Sequence, residues 1–88
     1  MTELEEVKRG EEADRVLKNP LFIDAVNNVR ESIVNSMSQS AFGDAQTHNR
    51  LVIALQLLEQ IEKRLKDHIA TGKMAALKTE DKFKFFRS

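Results

Sequence analysis

No cysteine, tryptophan or tyrosine occurs among the 88 residues, and only one proline and three glycines interrupt them. Without cysteine there is neither a disulfide framework nor a thiolate metal cluster, two devices that commonly hold small domains together. The remaining device is association with a partner or with further copies of the chain. A chain this short is one domain at most and buries only about 60% of the surface exposed by its unfolded form. So few turn formers argue against many short strands and for a few long helices. There is no run of 18 apolar residues to cross a membrane, and the start Met-Thr-Glu-Leu-Glu-Glu lacks the apolar stretch of a signal peptide. The expectation is a soluble protein that is intracellular when made, with no membrane partner. The three glycines are scattered, so no phosphate loop or dinucleotide fingerprint exists and no cofactor is expected.

A charge of one overall sign is also missing, since 14 bases balance 14 acids. The balance is not local. Residues 1 to 15 hold six acids against three bases, and residues 73 to 88 hold five bases against two acids, giving net −3 at one end and +3 at the other. That polarity fits either oppositely charged docking patches or two solvated termini. Apolar residues at 41% and charged residues at 32% exclude a wholly disordered chain.

Gly10, Asn19-Pro20, the stretch 36–44 and Gly72 punctuate the chain. Residues 1–10 read as a flexible acidic lead, followed by a short helix near 11–18 weakened by Gly10. Asn19 is a good N-cap, and Pro20, with no N–H to lose, suits the first helical position. From there Phe22, Val26, Val29, Ile33 and Met37 recur at helical spacing, while Asp24, Asn27, Asn28, Arg30, Glu31 and Asn35 take the other face. Asp44 follows Gly43 and caps a longer helix whose stripe is Leu51, Ala54, Leu55, Leu58, Ile61, Leu65 and Ile69. Gly72 reads as its left-handed stop. The expected fold is all-α: an antiparallel helical hairpin of about residues 20–38 and 44–71, a helical domain over 11–77, and an extended tail over 78–88. Val26, Val29, Ile33, Leu51, Leu55, Leu58, Ile61 and Leu65 should face one another. At about 1.5 Å per residue the second helix overhangs the first and needs a cover.

Tests for chemistry are negative. His48 and His68 lie 20 residues apart on one helix, about 30 Å and beyond any shared metal. The adjacent acids Glu5-Glu6, Glu11-Glu12 and Glu80-Asp81 sit in polar terminal segments and not around a cleft. Ser40, Asp44 and His48 have the residue types of a nucleophilic triad but lack a Gly-rich elbow and an oxyanion hole. An enzyme is not expected. The most informative exposed stretch is Lys82, Phe83, Lys84, Phe85, Phe86 and Arg87, because three large rings need a receiver. A groove on a partner protein, stacked bases of nucleic acid, and the chain's own hairpin are the three receivers that fit. With only three cations and no net charge, nucleic acid is disfavoured.

Ala13-Asp14-Arg15-Val16-Leu17, then Asn19-Pro20-Leu21-Phe22, a Ser-rich turn with Asp44 before a Leu-rich helix, and Gly72-Lys73 with Ala75 close behind form a pattern. It resembles that of small helical proteins encoded among the virion-structure genes of tailed bacteriophages. The resemblance covers roughly residues 13 to 76. It implies a virion or assembly component that binds portal, capsid or connector subunits, in several copies or as a homo-oligomer, located in the virion and in the host cytoplasm during assembly. A small DNA-associated phage regulator or terminase accessory protein is the alternative, although only Gln46, Asn49 and Arg50 would serve a recognition helix.

Overall fold

Thr2 opens the first helix by accepting a hydrogen bond from the Glu5 amide at 3.2 Å. In the computed structural model, which describes the backbone of residues 2–87 and the side chains of residues 2–80, three helices follow one another: α1 (Glu3–Lys18), α2 (Pro20–Gln39) and α3 (Ala45–Arg87). Among the described residues there is no strand. The expected acidic lead is thus already helical from Glu3. Its cause is a first turn that carries Glu3, Glu5 and Glu6 at the positive end of the helix dipole, beneath a threonine cap.

Asn19 serves two helices at once. Its amide donates to the Val16 carbonyl at 3.1 Å, closing α1, and its side-chain oxygen accepts from the amides of Leu21 at 2.9 Å and Phe22 at 3.3 Å, opening α2. With Pro20 at the first helical position the chain turns in a single residue. The α2–α3 connection is residues 40–44, where Gly43 adopts φ +90°, a conformation that costs glycine little.

The largest departure from the sequence reading lies at Gly72. It does not stop α3, which runs through it. Gly72 is buried against Gly10 of α1 at the point where the two helix backbones come closest. A Cβ placed on Gly10 would lie 2.9 Å from the His68 carbonyl oxygen and 3.1 Å from the Gly72 Cα, and one placed on Gly72 would lie 3.0 Å from the Glu6 carbonyl oxygen. Ala13 and Ala75, one turn along from each glycine, are 4% and 2% exposed. The seam is therefore two Gly-x-x-Ala stretches laid together. α1, and not α2, is the principal partner of α3.

The packing of α2 is looser. Phe22, Val26, Arg30, Ile33 and Met37 turn inward, but of these only Val26 is buried. The expected position of Val29 in the core is corrected: Val29 is 48% exposed, and Arg30, expected outside, turns inward to pair with Glu62 of α3. On α3, Leu51, Leu55, Leu58 and Leu65 are half-buried, whereas Ile61, also expected inside, is 54% exposed. Both corrections have one cause. The inward stripe is set by the Arg30–Glu62 pair, and Val29 and Ile61 each stand one place before a member of that pair, about 100° away around their helices. The molecule measures 68 × 25 × 17 Å, and α3 spans almost the whole length at about 1.5 Å per residue.

The glycine seam yields a prediction in which two effects oppose each other. Replacing a helical glycine by alanine in the open favours the helix by about 1 kcal/mol. At Gly10 the new methyl would press on backbone atoms that cannot turn aside, and overpacking of this kind costs about 1–3 kcal/mol. Gly10→Ala is expected to lower the melting temperature followed by circular dichroism. A raised melting temperature would show that α1 does not lie this close to α3.

Candidate interaction surfaces

Of the side chains singled out from the sequence, Lys82, Phe83, Lys84, Phe85, Phe86 and Arg87 lie outside the described residues. Residues 78 to 80, expected in an extended tail, belong to α3. His48 is exposed in the first turn of α3, and His68 is half-buried beside the glycine seam, its backbone carbonyl facing Gly10. Among the described residues no group of three or more His, Asp or Glu is placed to hold a metal ion. No helix among them is long and apolar enough to cross a membrane.

Ser40, Asp44 and His48 border one shallow depression at the α2–α3 turn. Their polar groups are engaged in ending and starting helices. The Ser40 hydroxyl donates to the Met37 carbonyl at 2.7 Å. Asp44 accepts from the Thr47 amide at 3.1 Å with one oxygen and from the Thr47 hydroxyl at 2.7 Å with the other. These bonds, the hydroxyl first and the amide second, hold the Asp44 carboxyl below its ordinary value of 3.8.

The surface is more informative than any cleft. Among the described residues no side chain larger than valine is buried, and the buried hydrophobic set is Ala13, Val26 and Ala75. Twelve large apolar side chains of the described residues are exposed instead, including Leu21, Phe42, Ile53, Leu57, Ile61 and Met74. Phe42 stands fully in solvent at the tip of the α2–α3 turn, held there by the Asp44 amide donating to the Ala41 carbonyl at 3.0 Å. The accessible surface is 7129 Å², whereas a globular monomer of this mass exposes about 5,300 Å². The excess is about 1,800 Å² by that scaling. In the same sense the radius of gyration is 19.3 Å against about 12 Å for a compact chain of this length.

The sequence reading missed Phe42, since it lies in a loop without periodicity. It also missed Ile53 and Leu57, which lie off the dominant stripe of α3. Their signal was present: Ile53, Leu57 and Ile61 repeat at intervals of four, a second apolar row beside the first. Beside this row runs an open groove bordered by Gln56, Glu59, Gln60 and Lys63. A second groove, between α1 and α3, is lined by Val7, Gly10, Asp14, Lys18, Ile69 and Lys73 and follows the glycine seam.

The capping of α3 generates a pH prediction. Asp44 titrates lower in the folded chain than in the unfolded one, so its contribution to stability is complete above about pH 3.8 and is lost as the pH falls through the lowered folded value. An NMR titration should place the Asp44 carboxyl midpoint below 3.8, and Thr47→Val should move it upward. An unshifted midpoint in the parent chain would remove Thr47 as the capping partner.

No protein-family model, no curated protein and no solved structure matches this chain.

Proposed function

We propose that this chain is a non-enzymatic assembly protein that completes its core only against other protein subunits. The observation that carries this reading is the mismatch between core and surface: among the described residues nothing larger than valine is buried, while twelve large apolar side chains remain in solvent. Surface apolar groups scattered singly are ordinary in monomers. Here they coincide with an accessible surface about a third larger than the mass requires. An excess of about 1,800 Å² is comparable with the whole area removed from water in a standard protein interface.

The resemblance to small helical virion proteins of tailed phages gives the reading its particulars. The helical hairpin and its apolar ridge dock on a larger head or head-to-tail subunit such as portal, capsid or connector. The segment Lys82, Phe83, Lys84, Phe85, Phe86 and Arg87 serves as the anchor, and several copies take part. Aromatic and arginine side chains are the residues that most often dominate binding energy at such contacts. The protein resides in the virion, having passed through the host cytoplasm during assembly.

A truncation separates anchor from fold. The tight part of the α1–α3 seam, Gly10 and Ala13 with Gly72 and Ala75, lies before residue 80, so removing residues 82–88 should leave helicity and melting temperature nearly unchanged. Each ring buried in a partner is worth about 1.5–3 kcal/mol before ordering costs. The truncated chain should therefore fail to co-sediment with assembled particles that retain the full-length chain. Absence of the full-length chain from purified particles, together with salt-dependent retention on DNA, would overturn the reading in favour of a DNA-associated regulator.

A further inference from the structure

Val26 and Ile33 of α2 stand seven residues apart and both turn inward, as do Leu58 and Leu65 of α3. Seven residues make about two helical turns, and the inner place between them can be filled by the third residue or the fourth, which lie about 50° to either side of the line joining the flanking two. On both helices the third residue is aliphatic, Val29 and Ile61, and the fourth is charged, Arg30 and Glu62. The structure has the charged pair inside. We infer that α2 has two settings on α3, and that the Arg30–Glu62 pair is the catch holding the one in which Val29 and Ile61 are turned out.

Any two helical turns have two middle places. What sets these helices apart is that the same exchange, by one residue in the same direction, serves both at once. α2 returns along α3 after the short connection 40–44, so the two run in opposite senses. In such a pair the residues just before Arg30 and Glu62 fall on one flank. A single roll of α2 toward that flank, by about 50°, takes both charged side chains out of the contact and brings both aliphatic ones in. Val26, Ile33, Leu58 and Leu65 serve either setting.

α2 is the element free to roll. α3 is fixed by Gly72 against Gly10, where backbone meets backbone. On α2 only Val26 is buried, and Phe22, Ile33 and Met37 are half-buried. The helix is tied by the single residue Asn19 at one end and by the connection containing Gly43, at φ +90°, at the other. The residues that come in with Val29 and Ile61 are small and uncharged: Ala25, Ser32 and Ser36 stand on Val29's side of α2, and Ala54 on Ile61's side of α3. They hold no charge to be stripped of water.

The two settings lie close in free energy for a general reason. A half-buried ion pair gives up in desolvation much of what it gains in attraction, and exchanging it for packed aliphatic side chains is often neutral. In the charged setting Val29 and Ile61 are 48% and 54% exposed and add to the apolar flank offered to a subunit. In the aliphatic setting they are withdrawn. This use of the two settings rests on the assembly reading, whereas the roll itself does not.

Because the chain has no cysteine, a single introduced thiol reports the setting in the full-length protein. Val29→Cys should react readily with iodoacetamide, a neutral reagent. Adding Glu62→Lys sets two cations against each other and should slow that reaction at least about tenfold, a shift of about 1.4 kcal/mol in the balance between settings. A nearby cation by itself lowers a thiol's pKa and speeds its reaction, so slowing reports burial. Reversing the pair, Arg30→Glu with Glu62→Lys, should restore the original rate. Leu21→Cys, at a position 78% exposed, should react alike in every background. A thiol at position 29 that is as reactive with Glu62→Lys as without it overturns the inference, whether α2 keeps its place or leaves α3. A reversed pair that fails to restore the rate does the same. Glu62→Lys should also co-sediment more weakly with particles than the parent chain. Equal co-sedimentation alongside a slowed thiol refutes the use in docking and leaves the roll standing, while absence of the parent from particles counts against the assembly reading alone.

Discussion

The closest approach of two backbones, Gly10 of α1 on Gly72 of α3, is the contact on which the rest of this structure depends. Helices ordinarily pack with axes 8–10 Å apart, the gap being filled by side chains. Two glycines flanked by Ala13 and Ala75 remove that filling, and the helices meet through backbone. Such a seam fixes position sharply because no flexible side chain can adjust to a shift. It also buries little apolar area per residue, since glycine and alanine have little to bury. The large apolar side chains of the chain must then lie elsewhere. With α1 committed to this seam, those among the described residues fall largely on exposed or half-exposed faces. The thin core and the apolar surface are thus one fact seen from two sides.

The second contact works in the opposite way. Between α2 and α3 the residues in the middle are not small but long and charged, Arg30 and Glu62, whose side chains are 34% and 25% exposed. A pair of this kind holds two helices in register, yet its length keeps them apart and its desolvation offsets much of its attraction. Ile33, Met37, Leu55 and Leu58 consequently remain half-buried around it. A stable, wholly apolar α2–α3 interface would have taken in Val29 and Ile61. The ionic pair instead rotates both helices so that these two side chains share an outer flank.

Much of this was legible from residue types whose local chemistry is unambiguous. Asn19-Pro20 announced both the end of one helix and the start of the next, and Asp44 announced α3, because each supplies a specific acceptor to a specific orphan amide. The all-helical class followed from periodicity. What escaped were features whose meaning depends on a distant partner. Gly72 has the credentials of a helix stop when read locally, and only the presence of Gly10 across from it makes it a contact. The pattern Gly10-x-x-Ala13 and Gly72-x-x-Ala75 was there to be matched. Matching it requires pairing segments 62 residues apart. Val29 and Arg30 were likewise exchanged because hydrophobicity ranks valine as the inner residue, whereas Glu62 on another helix makes arginine the better one. Thr2 and Glu5 had the spacing of a capping box, overshadowed by the acidity of the segment and by Gly10.

The division of labour between the two seams bears on how such a chain can take part in an assembly. A single 43-residue helix serves as the rod, and its partners attach at different points along it: α1 near Gly72, α2 around Glu62, and a free apolar row from Ile53 to Ile61. The free row faces away from the inward stripe and lies beyond the glycine crossing. Covering it therefore needs no rearrangement of α1. Phe42, at the tip of the turn, lies farther still from the crossing and is presented by a capped, hydrogen-bonded loop. Because those bonds order the backbone that carries it, mainly the ring's own rotations would be lost if it were buried. The exposed apolar side chains are in this sense carried on hydrogen-bonded elements, while the fold itself draws its definition from the small residues that make the seam.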